Sequence, residues 1–350
     1  MLSIDIGGEA MWRNGLKWIF LIVGTMIGAG YASGRELWQF FGPESGLAIF
    51  IFTLLLMIAI YVAMSISRNL HTEHYFPLLE TLVGRKIAKI YDAMIIFYLF
   101  STTSIMFAGS GATFEAFYLP YWLGIMIIIT ALILVFTYDI EGVLVINSFI
   151  LPLLLTGLLI VLIDFTLRND LSFVTDLAYQ SNWKAAFTFT ALNMLSIIAV
   201  IGAVGNNIKT KQEIWIAAVG SSVILGAISF IYNNSLIQIK EEILVYEIPL
   251  FAILKDYPFS LYIVISILLW CAIFTTAIAS TLGLVSRLKQ FIHLPLWKIT
   301  IILSCLMLPL VSIGFSTLIK YIYPLYGMLN LYLLSALILN PFITKIEKKV

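Results

Sequence analysis

Two stretches of the chain hold groups able to bind an ion or a small polar solute. The first is Val23-Gly24-Thr25-Met26-Ile27-Gly28-Ala29-Gly30-Tyr31-Ala32-Ser33-Gly34-Arg35-Glu36, and the second runs from Cys271 through Ala272, Thr275 and Thr276 to Ser280 and Thr281. A glycine weakens a helix by about 1 kcal/mol against alanine. Gly24 with Gly28, and Gly30 with Gly34, have the spacing of close helix–helix packing. Gly28 and Gly30 fall on different helix faces, which packing does not explain. A helix interrupted at Gly28-Ala29-Gly30 frees carbonyls for a cation, and the N–H groups of the next half-helix for a carboxylate. In the second stretch, hydroxyls crowd an otherwise apolar run. Thr275 and Thr276 either bond their own helix backbone or both reach a site between helices.

Charge beside the first stretch adds a further element. Arg35 and Glu36 lie about 30 Å above the inner end of the first helix on a helical rise. Two readings stand: an outer gate ion pair, with Glu115 the nearest carboxylate by depth, or snorkelling to the interface.

The elements that must position these groups are membrane helices. The 350 residues are 61% hydrophobic and 11% charged, with a mean hydropathy of +1.02, against roughly 25% charged residues in soluble domains. A net charge of +1 gives no ground for nucleic-acid binding. Ten runs free of Asp, Glu, Lys and Arg approach the ~20 residues a span needs: Trp18–Gly34, Gly46–Ser67, Ala93–Phe114, Ala116–Tyr138, Gly142–Ile163, Ala185–Ile208, Ile214–Ile239, Tyr257–Ser286, Ile299–Ile319 and Tyr321–Thr344. With the N-terminus inside, fourteen Lys and Arg fall on inner segments and five on outer ones. That asymmetry places both termini in the cytoplasm and the chain in the cell membrane. No cleavable signal is expected. Cys271 and Cys305 both sit in apolar runs and read as small core residues. His71 and His74 read as a solvated inner loop, because two histidines do not complete a zinc shell. Asp139 and Glu141 read as a solvated inner turn. The outer segment Lys240–Pro258 is either a lid or an interfacial packing helix.

Five runs in residues 15–163 and five in 184–340 make halves of opposite direction, the arrangement of inverted-repeat transporters. The sixth run holds Asn193 and Ser196, then Gly202 and Gly205. A second interruption is expected there, facing the one in the first run.

Gly24-x-x-Ile27-Gly28-x-Gly30 together with Ala272-x-x-Thr275-Thr276-x-Ile278-Ala279 resembles the APC superfamily of LeuT-type transporters. The block from Gly24 to Glu36, continuing to Gln39-Phe40-Phe41, is similar to the YkvI-type membrane proteins within it. The resemblance implies an all-α fold of ten transmembrane helices in a 5+5 inverted repeat, with helices one and six broken. It implies a Na⁺ site made by the carbonyls of Gly24, Ile27 and Ala272 and the hydroxyls of Thr275 and Thr276. It places substrate against Gly28, Ala29, Gly30 and Tyr31, with Tyr98 and Asn193 in the same pocket. Tyr31 stands where many relatives carry an Asn of a second sodium site, and the fifth run lacks the Lys of some proton-coupled relatives.

The expected activity is import of a small organic solute, an amino acid or related amine, coupled to Na⁺ by alternating access. No resident cofactor, no catalytic residue and no nucleic acid is expected; the partners are the solute and the lipid bilayer. A small-molecule receptor of the same fold and a proton-coupled transporter are the alternatives.

Overall fold

Charge-free apolar runs broken by glycine, proline and short polar turns leave the chain one way to satisfy its backbone in lipid, which is helices. In the computed structural model, residues 6–138, 141–168, 180–288, 292 and 294–347 are described. Among them the helices are α1 (Ile6–Met26), α2 (Ala29–Ala32), α3 (Arg35–Phe40), α4 (Gly46–Asn69), α5 (Phe76–Glu115), α6 (Tyr121–Tyr138), α7 (Glu141–Arg168), α8 (Ala185–Val204), α9 (Lys211–Gln238), α10 (Pro249–Leu254), α11 (Phe259–Leu288), α12 (Leu296–Val311), α13 (Phe315–Leu329) and α14 (Leu331–Glu347). Six stretches of these residues are long and apolar enough to cross a membrane, and α6 and α12 add two shorter apolar helices. Phe50, Phe97 and Ile160 are each more than 60% exposed. Large apolar side chains turned outward on several helices suit a lipid surround.

The helices pack in two groups. One joins α1 and α4 to α9, and α4 to α8. The other joins α5 to α6, α11 and α12. α13 packs between the groups, against α8 and α5. Phe189 of α8 is a hub of the first group, with ring centroids 4.9 Å from Phe41, 5.0 Å from Phe52 and 5.2 Å from Phe40.

Several sequence expectations change here. The sixth run is not interrupted at Asn193: α8 is continuous from Ala185 to Val204. Asn193 Nδ2 donates to Phe189 O, four residues back, at 2.9 Å, which ties the side chain to its own turn. The glycines that suggested a break serve close approach instead. A Cβ on Gly202 would stand 2.5 Å from Tyr75 Cα, and one on Gly205 would stand 2.1 Å from Thr72 Oγ1. The inner segment Asn69–Tyr91 is largely helical, because α5 begins at Phe76 and turns at Gly84, whose φ of 76° favours glycine. His71 and His74 are exposed in the turn before it. Cys271 and Cys305 are free thiols, and Cys305 is exposed rather than in the core. Asp139, the Glu141 side chain, His293 and most of the outer segment after Arg168 lie outside the described residues.

Candidate functional site

The first helix stops at Met26, two residues short of Gly28. A continuous helix would have Gly28 N donate to Gly24 O; here Gly28 N donates to Met26 O at 2.9 Å. Ile27 and Gly28 lie outside any helix, and Gly28 is extended, with φ −86° and ψ −173°. α2 then lasts only to Ala32, and Gly34, at φ 80°, turns the chain into α3. Ser33 Oγ donates to Gly30 O at 2.8 Å and holds that turn.

Helix α11 supplies the facing wall. A Cβ built on Gly28 would lie 3.7 Å from Thr276 Oγ1, so the hydroxyl faces the break with room for one methyl group between them. Thr275 and Thr276 donate to Ala272 O at 3.1 and 2.8 Å. The bond to their own helix and the approach to an interhelical site, alternatives in the sequence, both occur. A hydroxyl that spends its proton on the helix keeps oxygen lone pairs for a second partner.

These residues line one cavity of about 890 Å³. Gly24, Ile27, Ala272, Thr275 and Thr276 share its wall, as do Gly28, Ala29, Gly30, Tyr98 and Asn193. The Tyr98 hydroxyl meets Ser196 Oγ at 3.0 Å and so bridges α5 to α8.

Tyr31 is not part of this wall. Its hydroxyl donates to Leu225 O at 3.0 Å and meets Ser229 Oγ at 2.7 Å, and the side chain is fully buried toward α9. A buried phenol needs a partner, and α9 provides two.

The charged residues after the break also depart from expectation. Arg35 is half-buried and donates to Ile243 O at 3.4 Å, with Glu247 its neighbouring carboxylate. Glu115 is exposed on the last turn of α5, and no Arg35–Glu115 ion pair forms among the described residues. Glu36 points the other way, into the cavity, where it is 7% exposed. Its Oε1 lies 2.1 Å from where a Gly30 Cβ would be, and Tyr323 of α13 stands beside it. Neither snorkels. The rise of 1.5 Å per residue does not carry past Gly34, because the chain folds back there and lays Glu36 over Gly30.

Sequence reasoning missed three contributors. Glu247 Oε2 accepts from Ser316 N at 2.6 Å and ties the segment before α10 to the start of α13. α10 is wholly buried, and Leu250 N donates to Ser33 O at 3.0 Å; Pro249 at its first turn was the available signal. At the cavity's opposite end, Asp92 of α5 bonds Arg287 of α11 and accepts from the Tyr75 hydroxyl at 2.7 Å. Arg287 and Tyr75 line the cavity together with Lys17.

No protein-family model matches the chain. It is similar to the uncharacterised protein YyaD of Bacillus subtilis (strain 168), 49% identical over 335 residues that cover 96% of this chain and 99% of that protein. It is 27% identical over 338 residues to the uncharacterised membrane protein YkvI of the same organism, covering 91% and 94%. Among solved structures it resembles MhsT in complex with L-phenylalanine, with a TM-score of 0.63, 16% identity and coverage of 93% and 86%. It also resembles a manganese transporter of Eremococcus coleocola, with a TM-score of 0.59, 14% identity and coverage of 97% and 81%. The broken first helix, the hydroxyl-bearing α11 and these likenesses agree: the chain has a LeuT-type fold and belongs to the family of YyaD, with the membrane protein YkvI a more distant homologue.

Proposed function

We propose that the protein is a secondary active transporter that imports a small organic solute, an amino acid or related amine, together with Na⁺. The observation that carries this reading is the convergence of the α1–α2 break and the Thr275–Thr276 pair on a single cavity. Gly24, Ile27, Ala272, Thr275 and Thr276 would hold the ion. Gly28, Ala29, Gly30, Tyr98 and Asn193 would face the solute. No catalytic residue is assigned.

The packing supports a ten-span, 5+5 reading in which α1–α3 form span one, α4 to α7 spans two to five, α8, α9, α11 and α12 spans six to nine, and α13–α14 span ten. Exchanging the halves turns the α1–α9 contact into the α8–α4 contact, the α5–α6 contact into α11–α12, and the α12–α5 contact into α6–α11; all six are present. With the N-terminus inside, the cavity opens between Lys17 and Arg287 to the cytoplasm, and α10 covers the outer side. Such a shape is an inward-facing state of alternating access. Sodium would favour the outward-facing state by binding it more tightly.

Reconstituted protein under an inward Na⁺ gradient is expected to accumulate its solute, and K⁺ is not expected to substitute. Thr275→Ala with Thr276→Ala should weaken sodium affinity by about tenfold or more. Uptake and sodium-stabilised melting that survive the double variant unchanged would refute the ion site. Solute binding without flux would make the protein a receptor.

A further inference from the structure

Glu36 is a charged side chain at the break that the sodium reading leaves without a task. It is 7% exposed, faces the cavity and lies against Gly30. Tyr323 and Tyr98 surround it. No basic side chain among the described residues forms an ion pair with it. Arg35, its neighbour in sequence, bonds Ile243 O instead. Of the cavity's other basic groups, Arg287 is paired with Asp92 and Lys17 is exposed.

A buried carboxylate without a cation is unstable as an anion. A positively charged solute would supply the missing partner. A zwitterionic amino acid fits less well, since placing its carboxylate on the N–H groups of Ala29 and Gly30 sets it beside Glu36, and like charges in a shared site repel. An ammonium on an apolar body meets the carboxylate, two tyrosines and an apolar wall. Tyrosine faces also attract cations.

We propose that Glu36 is the cation-recognising group of the cavity, and that the solute is a primary organic amine without a carboxylate, its ammonium held on Glu36. The proposal rests on the transport reading and narrows its substrate class.

Matched probes test it: phenethylamine, phenylalanine and 3-phenylpropionate on one skeleton, and isoamylamine, leucine and 4-methylpentanoate on another. Binding to the purified full-length protein in Na⁺ is measured by calorimetry and thermal shift. At least one amine is expected to bind about tenfold tighter than the amino acid of its skeleton, with the acids silent. Glu36→Gln should weaken that amine about tenfold, and Glu36→Asp should recover part of the loss. An amino acid that binds tighter than its amine, or the absence of binding by both amines, overturns the proposal even if Glu36→Gln fails to fold. So does a folded Glu36→Gln variant with wild-type amine affinity. Sodium-dependent stabilisation of the wild type, read in the same samples, reports on the transport reading separately.

Discussion

Gly28 and Gly30 are two residues apart and face different neighbours. A methyl group on Gly28 would meet Thr276 at ordinary contact distance, 3.7 Å; on Gly30 it would fall 2.1 Å from Glu36 Oε1 and 2.8 Å from its Cγ. Gly28→Ala is therefore expected to keep the wild-type melting temperature within a few degrees. Gly30→Ala must push the Glu36 side chain aside, and solute uptake should fall about tenfold. Tyr31 makes the opposite case. Tyr31→Phe removes a hydroxyl bonded to Leu225 O and Ser229 Oγ, which should cost about 1–2 kcal/mol of stability. Because the ring lies outside the cavity, the KM for uptake should not change. Melting and uptake curves on the same preparations separate the two effects.

At the scale of elements, glycine was legible as a special position but not as a kind of position. In the first span it frees backbone; in the sixth it admits a neighbour. Both read alike in sequence, because the difference lies in what stands opposite. Gly202 faces Tyr75 backbone at 2.5 Å from a would-be Cβ, and backbone does not swing away as a side chain does. Gly202→Ala should destabilise the protein by about 1–3 kcal/mol through overpacking, seen as a lower melting temperature without any change in sodium dependence. The hydroxyls of α11 were legible because few reasons exist for adjacent threonines in an apolar run. Arg35 and Glu36 were read together at one outer interface, with Glu115 as the gate carboxylate, whereas the structure sends them to different neighbours. Successive helical residues point about 100° apart, so one reaches Ile243 and the other the cavity. The segment before α11 left lid and packing helix open; in the structure its α10 is buried and bonded through Leu250 N to Ser33 O.

For the whole molecule, hydropathy showed a membrane protein built of apolar helices, while the inward-facing state we propose for it was not legible. That state follows from which end is packed. Phe189 with Phe40, Phe41 and Phe52 fills the first group of helices, while Ala279 is exposed on the cavity wall. In a background with Cys271→Ala and Cys305→Ala, Ala279→Cys should react with a membrane-impermeant thiol reagent in inside-out vesicles. The rate should be about tenfold lower in right-side-out vesicles, or in inside-out vesicles with saturating Na⁺. Equal rates in both orientations would show a cavity open to the other side or to neither.

The bond from Leu250 N to Ser33 O joins main chain to main chain. Side-chain substitution at either position leaves its two atoms in place, so this closure tolerates sequence drift that would dissolve a salt bridge. It also makes the Leu250 amide a clock. An amide held this way exchanges its hydrogen only when the contact opens. On the alternating-access reading proposed above, its deuterium uptake would count visits to the outward-facing state in unmodified protein, with no label attached. Adding Na⁺ should speed that one amide relative to its neighbours in α9.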